Sequence, residues 1–228
     1  EFAPAWSVRE DVREKLRADA VKIAEAVGYV NAGTVEFLVD RSGNHYFIEM
    51  NPRIQVEHTV TEMTTGIDIV QSQILIAEGY SLDSDEINIK SQDDIKPRGY
   101  SIQCRLTTED PINGFAPDTG VITKYTSAGG YGIRLDAGNA YVNANISPYY
   151  DSLLVKVTSW ARSFKDATNK AKRALKEMKV TGVKTNRTFL LNVLNHPTFR
   201  AGQCDTGFIA DNPELLNIMV REDKEMKV

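Results

Sequence analysis

The spacing of apolar and polar positions changes character twice along the chain. Between Ser7 and Val27, the residues Val12, Leu16, Ile23 and Val27 fall on one helical stripe with alanines between them. Ser7 and Glu10 have the spacing of a capping box and Gly28 follows the last periodic residue, so one helix is predicted over 7–27. The period then drops to two. Val35, Phe37 and Val39 share one face of a strand and Glu36 lies on the other; in Tyr46–Asn51, Tyr46, Ile48 and Met50 share a face opposite Phe47, Glu49 and Asn51. Asp40-Arg-Ser-Gly-Asn44 supplies turn chemistry, which predicts a hairpin. Beyond Pro52 the backbone is expected to stay extended, lining up Arg53, Gln55 and Glu57. Thr59 and Glu62 read as a second capping box opening a helical turn broken at Thr65-Gly66. Asp68 caps a helix from Ile69 to Glu78 that is stopped by Gly79 and buries Ile69, Ile74 and Leu75 against the hairpin.

From Pro97 strands take over. Tyr100, Ile102, Cys104 and Leu106 alternate with Ser101, Gln103 and Arg105; further strands are expected at Val121–Tyr125, Ile133–Asp136 and Leu153–Val157. Ser127-Ala-Gly-Gly-Tyr-Gly132 has the composition of a phosphate cradle, but a strand comes after it where a helix is needed, so it reads as a hairpin turn. Ser163 caps a helix to about Met178 with Phe164, Ala167, Ala171, Leu175 and Met178 as its buried stripe. A last helix begins after Lys184-Thr-Asn186, carries Phe189, Leu190, Val193 and Leu194, and closes at Asn195-His-Pro197. The polar stretch 81–96 connects the two regions. Its acidic run lacks the glycine and ligand spacing of a calcium loop. The reading is thus α+β, with one domain over 1–90, a second over 91–210, and a charged tail over 211–228.

A length of 228 residues supports one large or two modest cores. The net charge of −4, without a basic block, argues against nucleic acid, and no apolar run is long enough to cross a membrane. Cys104 and Cys204 have no metal spacing and are expected to be reduced and buried, as in a cytoplasm-like compartment. His45, His58 and His196 form no zinc pattern; His58 comes just after the polar row and serves either the site or local packing.

The candidate chemistry is on the hairpin. If Asp40 pairs with His45, Glu36 faces Glu49 across the ladder, where two like charges repel each other. A divalent cation between them removes the repulsion, with the Asn51 oxygen two residues along; these hard donors suit Mg²⁺ or Mn²⁺. A shift of one residue would send one glutamate to solvent instead. Arg53 offers a fork for a carboxylate or phosphate, Gln55 can orient an oxygen, and Glu57 beside a cation is a candidate general base. Arg134, in a strand just past the glycine-rich turn, projects into a cleft or else forms a surface salt bridge with Asp136.

Glu49-Met-Asn-Pro-Arg-Ile-Gln-Val-Glu-His-Thr-Val-Thr-Glu62, with Gly33-Thr-Val-Glu-Phe37 before it, resembles the biotin carboxylase family of the ATP-grasp superfamily. Tyr100–Arg105, Glu109–Pro111, Pro117–Gly120, Gly132–Asp136, Pro148–Ser152 and Gly182–Asn186 extend the resemblance over nearly the whole chain. Asn31–Glu36, Gln103–Asp110 and Arg134–Ala137 are most similar to the pyruvate carboxylase branch. The resemblance implies the C-terminal part of an ATP-grasp domain followed by a biotin carboxylase C-terminal domain with an antiparallel sheet and helices. It implies an ATP-dependent ligase that makes carboxyphosphate from MgATP and bicarbonate, carboxylates biotin on a separate carrier domain, and feeds carboxylation of pyruvate. By position, Glu36, Glu49 and Asn51 would bind Mg²⁺ or Mn²⁺. Arg53, Gln55 and the backbone N–H of Val56 would hold bicarbonate, Glu57 would take its proton, and Arg134 would stabilise the biotin enolate. The family's glycine-rich lid, ATP-contacting lysines and adenine hinge are expected from a missing N-terminal half, so these residues alone are expected to be inactive. Partners implied are that half, the carrier domain and a second copy joined through the C-terminal region, in the cytoplasm or, in a eukaryote, the mitochondrial matrix. An acyl-CoA carboxylase, or a non-catalytic folding or dimerisation fragment, is the alternative.

Overall fold

The computed structural model describes residues 1–217; the charged stretch Arg221–Lys227 lies outside the described residues. Two compact units divide between Ser101 and Ile102.

The first unit contains β1 (Phe2–Ala3), α1 (Glu10–Ala26), β2 (Thr34–Val39), β3 (His45–Asn51), α2 (His58–Thr65) and α3 (Ile69–Ala77). The Ser7 capping box does not form. Helix α1 begins at Glu10 with Arg9 as its N-cap and no side-chain cap bond, because Glu10 is drawn into ion pairs with Arg13 and Arg17. Val12 is buried, but Val27 sits past the helix end and is exposed. The Thr59–Glu62 box is also absent: both residues lie inside α2, buried. Gly66 ends α2 in the left-handed region at φ 75°, where glycine carries no Cβ penalty. Asp68 does cap α3, its Oδ1 accepting the Gln71 N–H at 2.8 Å. Yet Ile74 is exposed and no α3 residue is buried, contrary to the expected packing. Leu38, Tyr46, Phe47 and Ile48 of the hairpin are exposed too, so this unit leaves much apolar surface open.

The second unit adds β4 (Tyr100–Thr107), β5 (Glu109–Asp110), β6 (Ala116–Pro117), β7 (Gly120–Val121), β8 (Lys124–Thr126), β9 (Ile133–Ala137), β10 (Asn145–Ile146), β11 (Leu153–Ala161), α4 (Phe164–Glu177), β12 (Lys179–Thr181), α5 (Arg187–Asn195), α6 (Pro197–Arg200) and α7 (Phe208–Asp211). Strands β4, β11 and β9 lie side by side in that order, β11 antiparallel to β9. Helix α4 packs on β11 with its expected stripe in place: Phe164, Ala167, Ala171, Leu175 and Met178 are all buried. Ser163 caps it by accepting the Asp166 N–H at 3.1 Å. Ser101 and Gln103 are buried along with Ile102 and Cys104, so the polar face of β4 is covered at those two positions and exposed at Arg105.

The Val121–Tyr125 strand is interrupted. Gly120–Val121 pairs with β10 and Lys124–Thr126 with β12, whereas β9 pairs with β11. The glycine-rich stretch is therefore a link between sheets and not a hairpin turn. Asn186 holds β4 at its end: its Oδ1 accepts the Thr107 N–H at 3.0 Å and its Nδ2 donates to the Arg105 carbonyl at 3.0 Å, replacing a neighbouring strand. Phe189, Phe208 and Leu215 form a second small core with Phe115, Leu190, Val193, Phe199 and Leu216 around it. Cys104 is buried and Cys204 is exposed, which corrects the expectation that both are buried; neither forms a disulfide.

Candidate functional site

The turn of the hairpin sets the register of its two strands. Asp40 accepts the Ser42 and Asn44 N–H groups on Oδ1, both at 2.9 Å, which makes the turn tight and pairs Val39 with His45. Phe37 then lies opposite Phe47. The next pair is Glu36 with Glu49, so Ile48 is an extra residue and forms a β-bulge. The expected pairing of Asp40 with His45 is not made, and the bulge restores the opposition of the two glutamates.

The bulge also exchanges faces. Phe37 contacts His45 and Phe47 edge-on, with centroids 5.5 and 6.3 Å away, and the three line a cavity with Asp19, Lys22 and Ile23 of α1. Glu36, Glu49 and Asn51 point the other way. The expectation that Phe47 shares a face with Glu49 and Asn51 is thereby corrected: one inserted residue breaks the alternation between them.

On that second face the side chains are joined. Asn51 Nδ2 donates to Glu36 Oε1 at 3.0 Å and to Glu49 Oε1 at 2.9 Å. Gln55 Nε2 donates to the same Glu36 oxygen at 3.2 Å, and Arg53 Nη1 donates to Gln55 Oε1 at 2.8 Å. The positive end of an amide dipole thus sits between two carboxylates, where a cation would be favoured. Turned over, the same amide presents an oxygen, giving three hard donors. This set fits Mg²⁺, which keeps several waters and takes few protein ligands. Among the described residues no group of three or more His, Cys, Asp or Glu side chains is placed to hold a metal ion, so an amide must complete the set.

The extended strand expected after Pro52 does not form. Arg53 N–H turns back to the Asn51 carbonyl at 2.8 Å, His58 N–H bonds the Gln55 carbonyl at 3.2 Å, and Glu57 has φ −82° and ψ 2° as the N-cap of α2. Turns, not a strand face, gather Arg53 and Gln55 to the acid pair. Val56 and Glu57 are half-buried in the last of these turns. Arg134 lies in β9 of the second unit. Its Nε and Nη2 donate to Asp136 Oδ2 and Oδ1 at 2.9 and 2.8 Å, a two-pronged pair that fixes the guanidinium plane.

Sequence reasoning missed a connection below the turn. His58 Nδ1 lies 2.7 Å from the Gln55 carbonyl oxygen, and His58 Nε2 lies 3.7 Å from Glu62 Oε2. Glu62 is buried and accepts the Ile69 N–H at 2.7 Å. The signal was present: His58 and Glu62 are four apart, hence neighbours on a helix face.

Residues 103–211 match the family of the biotin carboxylase C-terminal domain, and residues 1–85 match the carbamoyl-phosphate synthase L chain, ATP binding domain. The chain thus carries a biotin carboxylase C-terminal domain behind an ATP-binding portion. It is 53% identical over all 228 residues to the pyruvate carboxylase of Bacillus subtilis, covering 20% of that protein. It is 54% identical to pyruvate carboxylase 1 of Caenorhabditis elegans, covering 19%. Among solved structures, it is similar to the complete multifunctional pyruvate carboxylase of Rhizobium etli, with TM-score 0.93 and 50% identity over 97% of this chain and 21% of that one. The biotin carboxylase domain of a thermophilic 2-oxoglutarate carboxylase bound to bicarbonate matches with TM-score 0.89 and 43% identity over 95% of this chain and 47% of that one. The chain spans about a fifth of the length of the curated relatives it matches. Its fold is that of these structures: an ATP-grasp portion followed by the biotin carboxylase C-terminal domain. Among the described residues no helix is long and apolar enough to cross a membrane.

Proposed function

We propose that this chain supplies the metal- and bicarbonate-binding portion of a biotin-dependent carboxylase that uses MgATP and bicarbonate to carboxylate biotin on a carrier domain, with pyruvate as final acceptor. The observation that carries the reading is the opposition of Glu36 and Glu49 across the hairpin, bridged by Asn51 and continued by Gln55 and Arg53. Mg²⁺ or Mn²⁺ at that pair would neutralise ATP phosphate oxygens. Arg53 and Gln55 hold the bicarbonate oxygens, and the Val56 N–H points a third donor at them. Glu57 takes the bicarbonate proton, a role open to a carboxylate at the edge of a cationic site. Arg134, its plane set by Asp136, offsets the negative charge that develops on the biotin ureido oxygen.

The exposed hairpin residues Leu38, Tyr46, Phe47 and Ile48 favour burial against a further layer of the ATP-grasp domain. We assign that layer to the N-terminal half of the carboxylase domain, with a second copy as an additional partner. The compartment is the cytoplasm or, in a eukaryote, the mitochondrial matrix. Titration calorimetry with Mg²⁺, with and without bicarbonate, tests the reading. The chain binds Mg²⁺, and bicarbonate binds more tightly in its presence; a chain that takes up neither is a folding module only.

A further inference from the structure

We infer that His58 is a positioning residue for the bicarbonate-binding turn: it pins the Gln55 carbonyl and thereby aims the Val56 N–H. The inference rests on the assignment of the Val56 N–H to bicarbonate given above, and adds what holds that donor in place.

Gln55 C=O and Val56 N–H belong to one planar group, and in a trans peptide the two point in opposite directions. The Gln55–Val56 bond is trans. Whatever fixes the carbonyl therefore fixes the N–H. Two donors converge on that oxygen, both from His58: the main-chain N–H at 3.2 Å and ring Nδ1 at 2.7 Å. A carbonyl oxygen can only accept, so Nδ1 carries the proton in this bond.

The ring is itself largely buried. Its side chain is 12% exposed and that of Glu62 5%, with Nε2 and Oε2 3.7 Å apart. Glu62 is tied in turn to the first N–H of α3, at 2.7 Å. Glu62, fixed to the start of α3, forms part of the wall beside the His58 ring, and the hydrogen-bonded path itself runs from that ring to the Gln55 carbonyl. It reaches the acid pair through the Gln55 side chain, which donates to Glu36. His58 touches no reacting atom. It acts through the peptide that it holds.

NMR on the 228-residue chain provides the test. In the wild type, ring ¹⁵N–¹H spectra place the proton of His58 on Nδ1; a bare Nδ1 overturns the inference with no variant needed. In His58→Phe, which keeps the ring and removes the donor, the Gln55 ¹³C′ and Val56 ¹⁵N resonances move in the metal-free, bicarbonate-free chain. The apparent bicarbonate affinity falls about tenfold while Mg²⁺ affinity stays within about twofold. His58→Gln, which retains a donor, recovers part of the loss. Unchanged Gln55 and Val56 resonances in His58→Phe overturn the inference. If they move but bicarbonate leaves the wild-type Val56 amide unshifted, the carbonyl lock stands and the assignment of the turn to bicarbonate fails.

Discussion

Two carboxylates facing each other across a strand pair cost stability unless something positive lies between them. Asn51 provides a partial dipole there, donating to both Glu36 and Glu49. Glu49→Gln should therefore leave the metal-free chain as stable or slightly more stable, by at most about 0.5 kcal/mol. The same variant should lose the rise in thermal midpoint that Mg²⁺ gives the wild type. Scanning calorimetry with and without Mg²⁺ separates the two effects, and a variant that still responds to Mg²⁺ would remove Glu49 from the site. Asp110 and Lys184 form a second testable pair. The lysine hydrogen bond holds the Asp110 carboxyl below its ordinary 3.8, and the same bond holds Lys184 above 10.5. A depressed acid stabilises the fold above its unfolded value, and that stability is lost as pH falls through the lower folded value. A raised base stabilises below its unfolded value, and that stability is lost as pH rises through the higher folded value. The tether thus works between about pH 4 and about pH 10.5. The urea midpoint of Lys184→Met should lie below wild type across that window and converge with it under more acid conditions. The opposed glutamates were expected from a register that does not form: the turn pairs Val39 and not Asp40 with His45, and the bulge at Ile48, which strand period does not signal, cancels that one-residue shift. The Asn51 nitrogen between them and the ring contact from His58 were not legible in the sequence, since both depend on side-chain direction.

Among the elements, the bulge at Ile48 decides the most. With Phe37 opposite Phe47 and Glu36 opposite Glu49, Ile48 is surplus to the ladder, and its side chain is about half exposed. Deleting Ile48 should give a regular hairpin with the same two faces and keep the Mg²⁺ response within about threefold, because a bulge adds one residue to a single strand. Loss of the response on calorimetric titration would mean that the bulge itself shapes the site. Asn186 has the corresponding part in the second unit. Asn186→Ala leaves the Thr107 N–H and the Arg105 carbonyl without that partner near a buried strand end, at a cost of about 2–4 kcal/mol in chemical denaturation. Helix α4 was legible to the residue, since its stripe is long and strictly periodic. The break at Ile122–Thr123 and the segment after Pro52 were not. There the chain changes partner sheets or folds into turns, and local period carries no signal for either.

At the scale of the whole molecule the two units differ in how well each covers its own apolar surface. The second has an extensive buried core, whereas in the first Val12 and Val60 are buried while the hairpin stays open. A chain spanning about a fifth of its relatives is consistent with that contrast. The 228 residues by themselves should show no bicarbonate-dependent ATP hydrolysis in a coupled phosphate assay; a clear signal would mean that the cleft needs no further layer. The most direct test of the central claim is Mn²⁺ titration of the ¹⁵N-labelled chain, read as paramagnetic broadening. Broadening should begin at Glu36, Glu49 and Asn51 and spread to Arg53–Val56. Broadening that begins instead in the acidic connector from Asp83 to Asp94, with the hairpin untouched, would contradict the account.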